Sequence, residues 1–153
     1  MKKSTIILFV LILCVSFAGC GKGSRVTGTV TFSDGQPLTV GKVAFTDDNI
    51  IGFGTINEKG QYSMGLVNDG DGMPPGTYKV YITEAMIEGD SSLAQKDEDG
   101  NSYIPKIPAV DSKFTGPKSG LTCEVKGATK YDITVEKPSK PYKPPVIVGD
   151  TGS

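Results

Sequence analysis

Histidine and tryptophan are both missing from this chain of 153 residues. Without histidine there is no Ser–His or Cys–His nucleophile pair, and the commonest general base and metal ligand are gone. An excess of basic charge is missing too, with 16 Lys and Arg against 17 Asp and Glu for a net charge of -1. A chain so balanced lacks the basic surface that releases counterions from a polyanion, so nucleic acid is not an expected partner. Cysteine is scarce, at positions 14, 20 and 123. The length suits one domain with a real core. The 20 glycines and 10 prolines are spread along the chain, a composition that favours short strands and turns over helices.

The N-terminus has a different character from the rest. Lys2 and Lys3 precede an apolar run of 13 residues, Ile6 to Ala18, broken only by Ser16. A basic start, an apolar stretch and then small residues form the anatomy of a secretory signal. The run is shorter than the roughly 20 residues that span a bilayer, and Gly19, Gly21 and Gly23 would fray an uncleaved anchor helix, the alternative reading. Phe17-Ala18-Gly19-Cys20 resembles the lipobox of bacterial lipoproteins, with Phe17 where leucine is usual. The resemblance implies cleavage between Gly19 and Cys20, and diacylglycerol and N-acyl chains on Cys20. Each buried CH₂ is worth about 0.8 kcal/mol, so two or three chains anchor stably where one does not. The expected layout is then a signal at 1–19, a lipidated cysteine and tether at 20–24, a β-sandwich at 25–137 and a Pro-rich tail at 138–153. Cys14 would leave with the signal and Cys20 would carry lipid, so Cys123 would remain alone; a Cys20–Cys123 disulfide is the alternative.

From Arg25 the apolar residues alternate. Val26, Val30 and Phe32 fall on one face of a predicted strand, and Thr27, Thr29 and Thr31 on the other. Ser33-Asp34-Gly35-Gln36-Pro37-Leu38 reads as a turn, followed by a strand over 41–47 with Val43 and Phe45 inward. Residues 50–66 read as a hairpin, with arms Ile51–Ile56 and Gln61–Leu66 around the turn Asn57-Glu58-Lys59-Gly60. After a Gly/Pro-rich corner at 69–76, the strand 77–84 places Tyr78, Val80 and Ile82 inward and Lys79, Tyr81 and Thr83 outward. Two further strands, 120–127 and 130–137, put Leu121, Cys123 and Val125 on one face and Tyr131, Ile133 and Val135 on another, which makes Cys123 a core residue.

Residues 85–120 break this rhythm. Glu84, Glu88, Asp90, Asp97, Glu98 and Asp99 face only Lys96 in the region 84–101. Pro105 and Pro108 forbid a long helix. The segment reads as a long acidic surface excursion with a short helix near Ser91–Lys96, and loops of that length are either functional or disordered. The tail that follows, with Pro138, Pro141, Pro144 and Pro145 among lysines, favours an extended polyproline-like, solvated course.

Several spaced elements between Val26 and Glu84 together resemble the carboxypeptidase regulatory-like domain, a transthyretin-like β-sandwich. They are Gly28 and Val30; Asp34, Gly35, Pro37 and Leu38; Thr55, Gly60 and Tyr62; and Pro74, Pro75, Gly76, Tyr78 and Val80. The later stretch carrying Ile107, Pro108, Lys113, Phe114, Ser119–Thr122, Val125, Lys126, Asp132 and Ile133 is similar to the end of a group of small bacterial lipoproteins. The fold expected is therefore all-β, a single Greek-key sandwich of about seven strands.

The chemistry expected is modest. Asp69 and Asp71, and Asp97 and Asp99, lie in Gly-rich acidic loops that could chelate Ca²⁺, but neither loop has EF-hand spacing and solvated turns are the simpler reading. No catalytic constellation, metal or soluble cofactor is expected, and Tyr81, which could belong to a ligand-binding sheet face, reads as an ordinary surface aromatic or a packing contact under the long loop. The function expected is that of a lipid-anchored, non-catalytic structural or protein-interaction module at the cell envelope. It would sit on a cell or outer membrane facing the periplasm or exterior, with residues 85–120 as the contact surface for an envelope protein or glycan. The alternative is a Ca²⁺- or carbohydrate-binding module using loops 69–72 and 84–101.

Overall fold

The structure is a computed structural model, and it describes residues 23–47 and 49–142. The signal segment, Cys20 and the end of the tail lie outside the described residues. The chain forms an all-β sandwich. One sheet centres on β1 (Val26–Phe32), which pairs antiparallel with β4 (Gln61–Ser63) and parallel with β11 (Thr129–Lys130) and β12 (Ile133–Val135). The other runs in the order β10 (Leu121–Val125), β5 (Gly76–Thr83), β2 (Lys42–Thr46) and β3 (Ile51–Thr55), all antiparallel. If β11 and β12 are taken as one interrupted strand, seven strand positions result, as expected. The connections β1–β2, β3–β4, β4–β5 and β10–β11 each cross between the sheets.

The core is the space between the two sheets, where alternation along each strand directs apolar side chains. Val26 and Val30 from β1, and Ile133 and Val135 from β12, meet Val43, Phe45, Tyr78, Val80, Ile82, Cys123 and Val125 from the opposite sheet. All eleven were expected inward, and all are buried. Phe32 and Tyr131 are only partly buried at the margin, where the Tyr131 ring meets Phe45 edge-on at 6.0 Å. Burial also raises the Cys123 thiol above its ordinary range, as suits a packed, unreactive group.

Three readings of the sequence are corrected. The arms around Asn57–Gly60 do not form a hairpin ladder. The turn itself forms, with Asn57 Oδ1 accepting from the N–H groups of Lys59 and Gln61, and Gly60 at φ 76°. Its arms then diverge, β3 onto β2 and β4 onto β1, and past the turn they share one isolated bridge, between Phe53 and Gly65. The cause is an inversion of the usual alternation in β3. Gly52 and Gly54 face inward, and a Cβ on Gly52 would lie 2.3 Å from the Met73 sulfur, so Met64 and Met73 fill that volume. Ile51 and Phe53 consequently face outward, 42% and 36% exposed.

The second correction concerns residues 85–120, read as a long surface loop with a short helix, which instead contain paired strands. β6 (Met86–Glu88) pairs with β9 (Lys106–Pro108), and beyond them β7 (Gln95–Lys96) pairs with β8 (Ser102–Tyr103). These nested ladders make a β-arm. The helix expected near Ser91–Lys96 shrinks to a single 3₁₀ turn at Ser91–Leu93, capped by the Asp90 side chain. Pro105 and Pro108 do not prevent the pairing because a two-stranded ribbon has free edges where a missing N–H costs nothing. The third correction shortens the tether. Ser24 exchanges two backbone hydrogen bonds with Met73, and Gly23 packs so closely that a Cβ there would lie 2.7 Å from the Gly72 carbonyl carbon. The folded body therefore begins inside the stretch read as linker.

Candidate functional site: the β-arm and the groove at its base

β1 and β5 run the same way through the sandwich, and this fixes which features share an end. Ser24, Met73 and Gly76 lie where those strands start; Phe32, Thr83 and Ala85 lie where they finish. A seven-residue strand rises about 23 Å, so the arm and the N-terminal entry point sit at opposite ends of the molecule. The arm leaves β5 through Glu84, whose φ of 55° is the single positive value among described non-glycine residues. Glu84 pairs with Lys42 at 2.9 Å, and Ala85 accepts from the Ala109 N–H, which ties the base of the arm to the body.

Under this base lies a groove of about 620 Å³. One wall comes from β1 and the loop after it, with Phe32, Pro37, Leu38 and Val40; Leu38 is held there because its N–H donates to the Val30 carbonyl. The arm supplies Ile87 and Ile107, directly opposite each other in the β6–β9 ladder, together with Ala109. The third wall is the start of the tail, Lys137 to Tyr142. Lys137 pairs with Asp34 at 2.9 Å and lies 5.2 Å above the Phe32 ring, while the Ser139 N–H donates to Asp111 Oδ2. These contacts leave marks on the acids. Asp34 is held below the usual carboxylate range first by the Lys137 hydrogen bond and then by the Gln36 N–H, and Asp111 by the N–H groups of Lys113 and Ser139. The walls are apolar, and the ionisable groups among the lining residues are Lys137, Lys140 and Tyr142. Such a surface offers contact area to apolar side chains.

The arm exposes Met86 at its base and Tyr103 further along, 41% and 43% accessible. Its acidic tip is built as a turn. Asp97 Oδ1 accepts from the N–H groups of Asp99 and Asn101 at 3.1 and 2.7 Å, and Gly100 adopts φ 82°. Asp97 is thus engaged with its own loop, and Asp99 donates its N–H to it. In the other acidic loop, Asp69 accepts from the Thr55 N–H at 3.2 Å and Asp71 from the Asn68 N–H at 2.9 Å. Among the described residues no three carboxylate or cysteine groups converge as a metal cluster. Asp71 and Asp97 thus accept within their own loops, whereas Asp69 reaches across to β3.

Two features escaped the sequence. The Ile87–Ile107 pair was hidden because a proline-bounded segment was read as loop; the alternation of Met86, Ile87 and Glu88 against Lys106 and Ile107 was the available signal. On the outer face of the β10–β5–β2–β3 sheet, Tyr81, Ala44 and Phe53 form one cross-strand row, with Ala44 fully covered between the two aromatics. Tyr81 therefore belongs to a packed surface row.

The chain matches no family model and no curated protein. Solved structures similar to it include a DUF3823 family protein from Bacteroides ovatus (16% identity, TM-score 0.41, 75% of this chain and 45% of that one). Another is a DUF3823 family protein from Parabacteroides merdae (16% identity, TM-score 0.40, 74% and 46%). The major pilin subunit of Bacillus cereus follows at 15% identity and TM-score 0.39, covering 76% and 30%. The chain spans less than half the length of each of these proteins. At these scores the fold assignment rests on the strand ladders described above.

Proposed function

We propose that this protein is a lipid-anchored, non-catalytic β-sandwich of the carboxypeptidase regulatory-like kind, serving as a protein-interaction module at the cell envelope. The anchor is Cys20, acylated after cleavage at Gly19, and the membrane is a cell or outer membrane, with the domain facing the periplasm or exterior. The observation that carries the reading is the placement of the β-arm at the end of the sandwich opposite residue 24. A bilayer held at Cys20 would lie at one end, and the exposed Tyr103 and acidic tip of the arm would project from the other. A partner there is a protein surface able to take an apolar, acid-rimmed ribbon.

The test has two parts. Cys20→Ser should release the protein from the membrane fraction and leave its signal uncleaved; unchanged retention and processing overturn the anchor. Affinity capture from native membranes should recover a protein partner with the intact chain and lose it when residues 89–104 are replaced by a short turn. Equal recovery by both forms overturns the role of the arm.

A further inference from the structure

Val67 is 86% exposed, the most open of the large apolar side chains among the described residues, and Leu66 beside it is exposed as well. With Pro74 and Pro75 they line a shallow recess of about 530 Å³, in which Asp71 is the ionisable residue. The loop that carries them, residues 66–71, is held at both feet. Phe53 and Gly65 exchange two backbone hydrogen bonds of 2.9 Å, and the Gly72 N–H donates to the Met64 carbonyl at 2.9 Å. Inside the loop the Asn68 N–H donates to Asp71 Oδ2, which turns the acid toward its own backbone. Leu66 and Val67 are therefore presented by an ordered backbone, with little conformational entropy left to lose on contact.

The same recess contains the point where the chain leaves toward its N-terminus. Gly23 lines it, and Ser24 is fastened to Met73 by two backbone hydrogen bonds. Cys20 stands three residues before Gly23, and three residue steps span at most about 11 Å. A bilayer entered by acyl chains on Cys20 would thus have its surface within about that distance of the recess, and apolar faces at membrane surfaces sink about 5–10 Å into the headgroup and acyl boundary. This continuity with the anchored end selects lipid, rather than a protein, as what covers the patch.

We propose that Leu66, Val67 and Pro75 form a bilayer-contact surface, resting against the lipid headgroups when the chain is anchored. The inference rests on the reading of Cys20 as an acylated anchor. It adds a second point of attachment, which limits how far the sandwich tilts on its short tether and keeps the β-arm directed away from the membrane.

The lipidated full chain, reconstituted in phosphatidylcholine vesicles, tests it. A fluorophore is attached at Val67→Cys or, as a control, at Ala128→Cys, which is also exposed and lies at the same end beside Thr129, the partner of Val26. Cys123 is buried and does not compete for the label. Phosphatidylcholine carrying a spin-label quencher near its headgroup should quench the Val67 probe several-fold more than the Ala128 probe. Equal quenching at the two sites, in protein that sediments with the vesicles, overturns the contact surface and leaves the anchor standing. Protein that fails to sediment overturns the anchor and this inference with it. A second measurement reads the tilt: a probe at Tyr103→Cys should lose anisotropy when Leu66 and Val67 are both replaced by serine, because the sandwich is then free to swing. Unchanged anisotropy refutes the second point of attachment.

Discussion

Replacing Gly28 with alanine should unseat the centre of the smaller sheet. Gly28 lies opposite Tyr62 in the β1–β4 ladder, and a Cβ there would stand 1.9 Å from the Tyr131 carbonyl oxygen and 2.8 Å from Tyr62 Cε1. The obstacle at 1.9 Å is backbone, so either β1 or the segment between β11 and β12 must move by more than an ångström. The same carbonyl accepts the Tyr62 hydroxyl, which burial holds well above the ordinary tyrosine range, followed by the effect of Cys123 and Tyr131 nearby. Forcing an extra methyl into a packed site costs about 1–3 kcal/mol. Leaving a buried hydroxyl without its acceptor adds about 1–3 kcal/mol. A combined loss of about 3–4 kcal/mol corresponds to a fall of roughly 12–16 °C in Tm for a domain of about 110 residues. Tyr62→Phe alone removes only the hydroxyl and should cost about 1 kcal/mol, or roughly 4 °C. The double variant should be no worse than Gly28→Ala, because the hydrogen bond is already broken and the orphaned hydroxyl is gone. Thermal or urea unfolding of the four proteins measures the cycle. A Gly28→Ala variant within about 1 kcal/mol of the parent, or full additivity of the two changes, would refute the argument.

Calcium at millimolar concentration should leave Tm unchanged within a degree or so, because the carboxylates of Asp71 and Asp97 accept from backbone N–H groups of their own turns and that of Asp69 from the Thr55 N–H of β3; a rise of several degrees would restore the metal reading. The stability profile should be flat between about pH 5 and 8, since the chain has no histidine, and should fall below about pH 4. The sign follows from Asp34, Asp47, Asp111 and Asp132, all held below the ordinary carboxylate value of 3.8. Their stabilisation is complete above the unfolded value and is lost as they protonate. Asp132 is the most informative of them: the Lys130 side chain is the main cause of its shift, and it also accepts from the Thr29 N–H where the pairing of β1 passes from β11 to β12. Asp132→Asn should flatten the acid limb of a Tm-against-pH curve, and an unaltered limb would remove Asp132 from the account.

The residues that specify the sandwich are local, and they were legible for that reason. Alternation in Val26–Phe32, Gly76–Thr83 and Leu121–Val125 assigns faces without reference to any partner strand. The turns at Asp34-Gly35 and Asn57–Gly60 likewise declare themselves through short polar side chains and positive-φ glycines. Tyr78 was legible as core, and the structure adds that its hydroxyl donates to the Pro74 carbonyl, fastening the corner to the strand it begins.

The chain's order of apolar and polar residues thus determined by itself that the fold is all-β, which faces form the core, and that Cys123 lies inside. Pairing was decided only in three dimensions. Whether β3 joins β4 or β2 depends on Met64 and Met73 filling the volume above Gly52 and Gly54, a contact between residues distant in sequence. The arm likewise exists because Met86–Glu88 finds Lys106–Pro108 across 17 intervening residues, and no window of local sequence contains both. The groove needs three such meetings at once, among the loop after β1, the arm and the tail. Side-chain period is a property of one strand, whereas a ladder or a groove is a property of two or more segments brought together by the core.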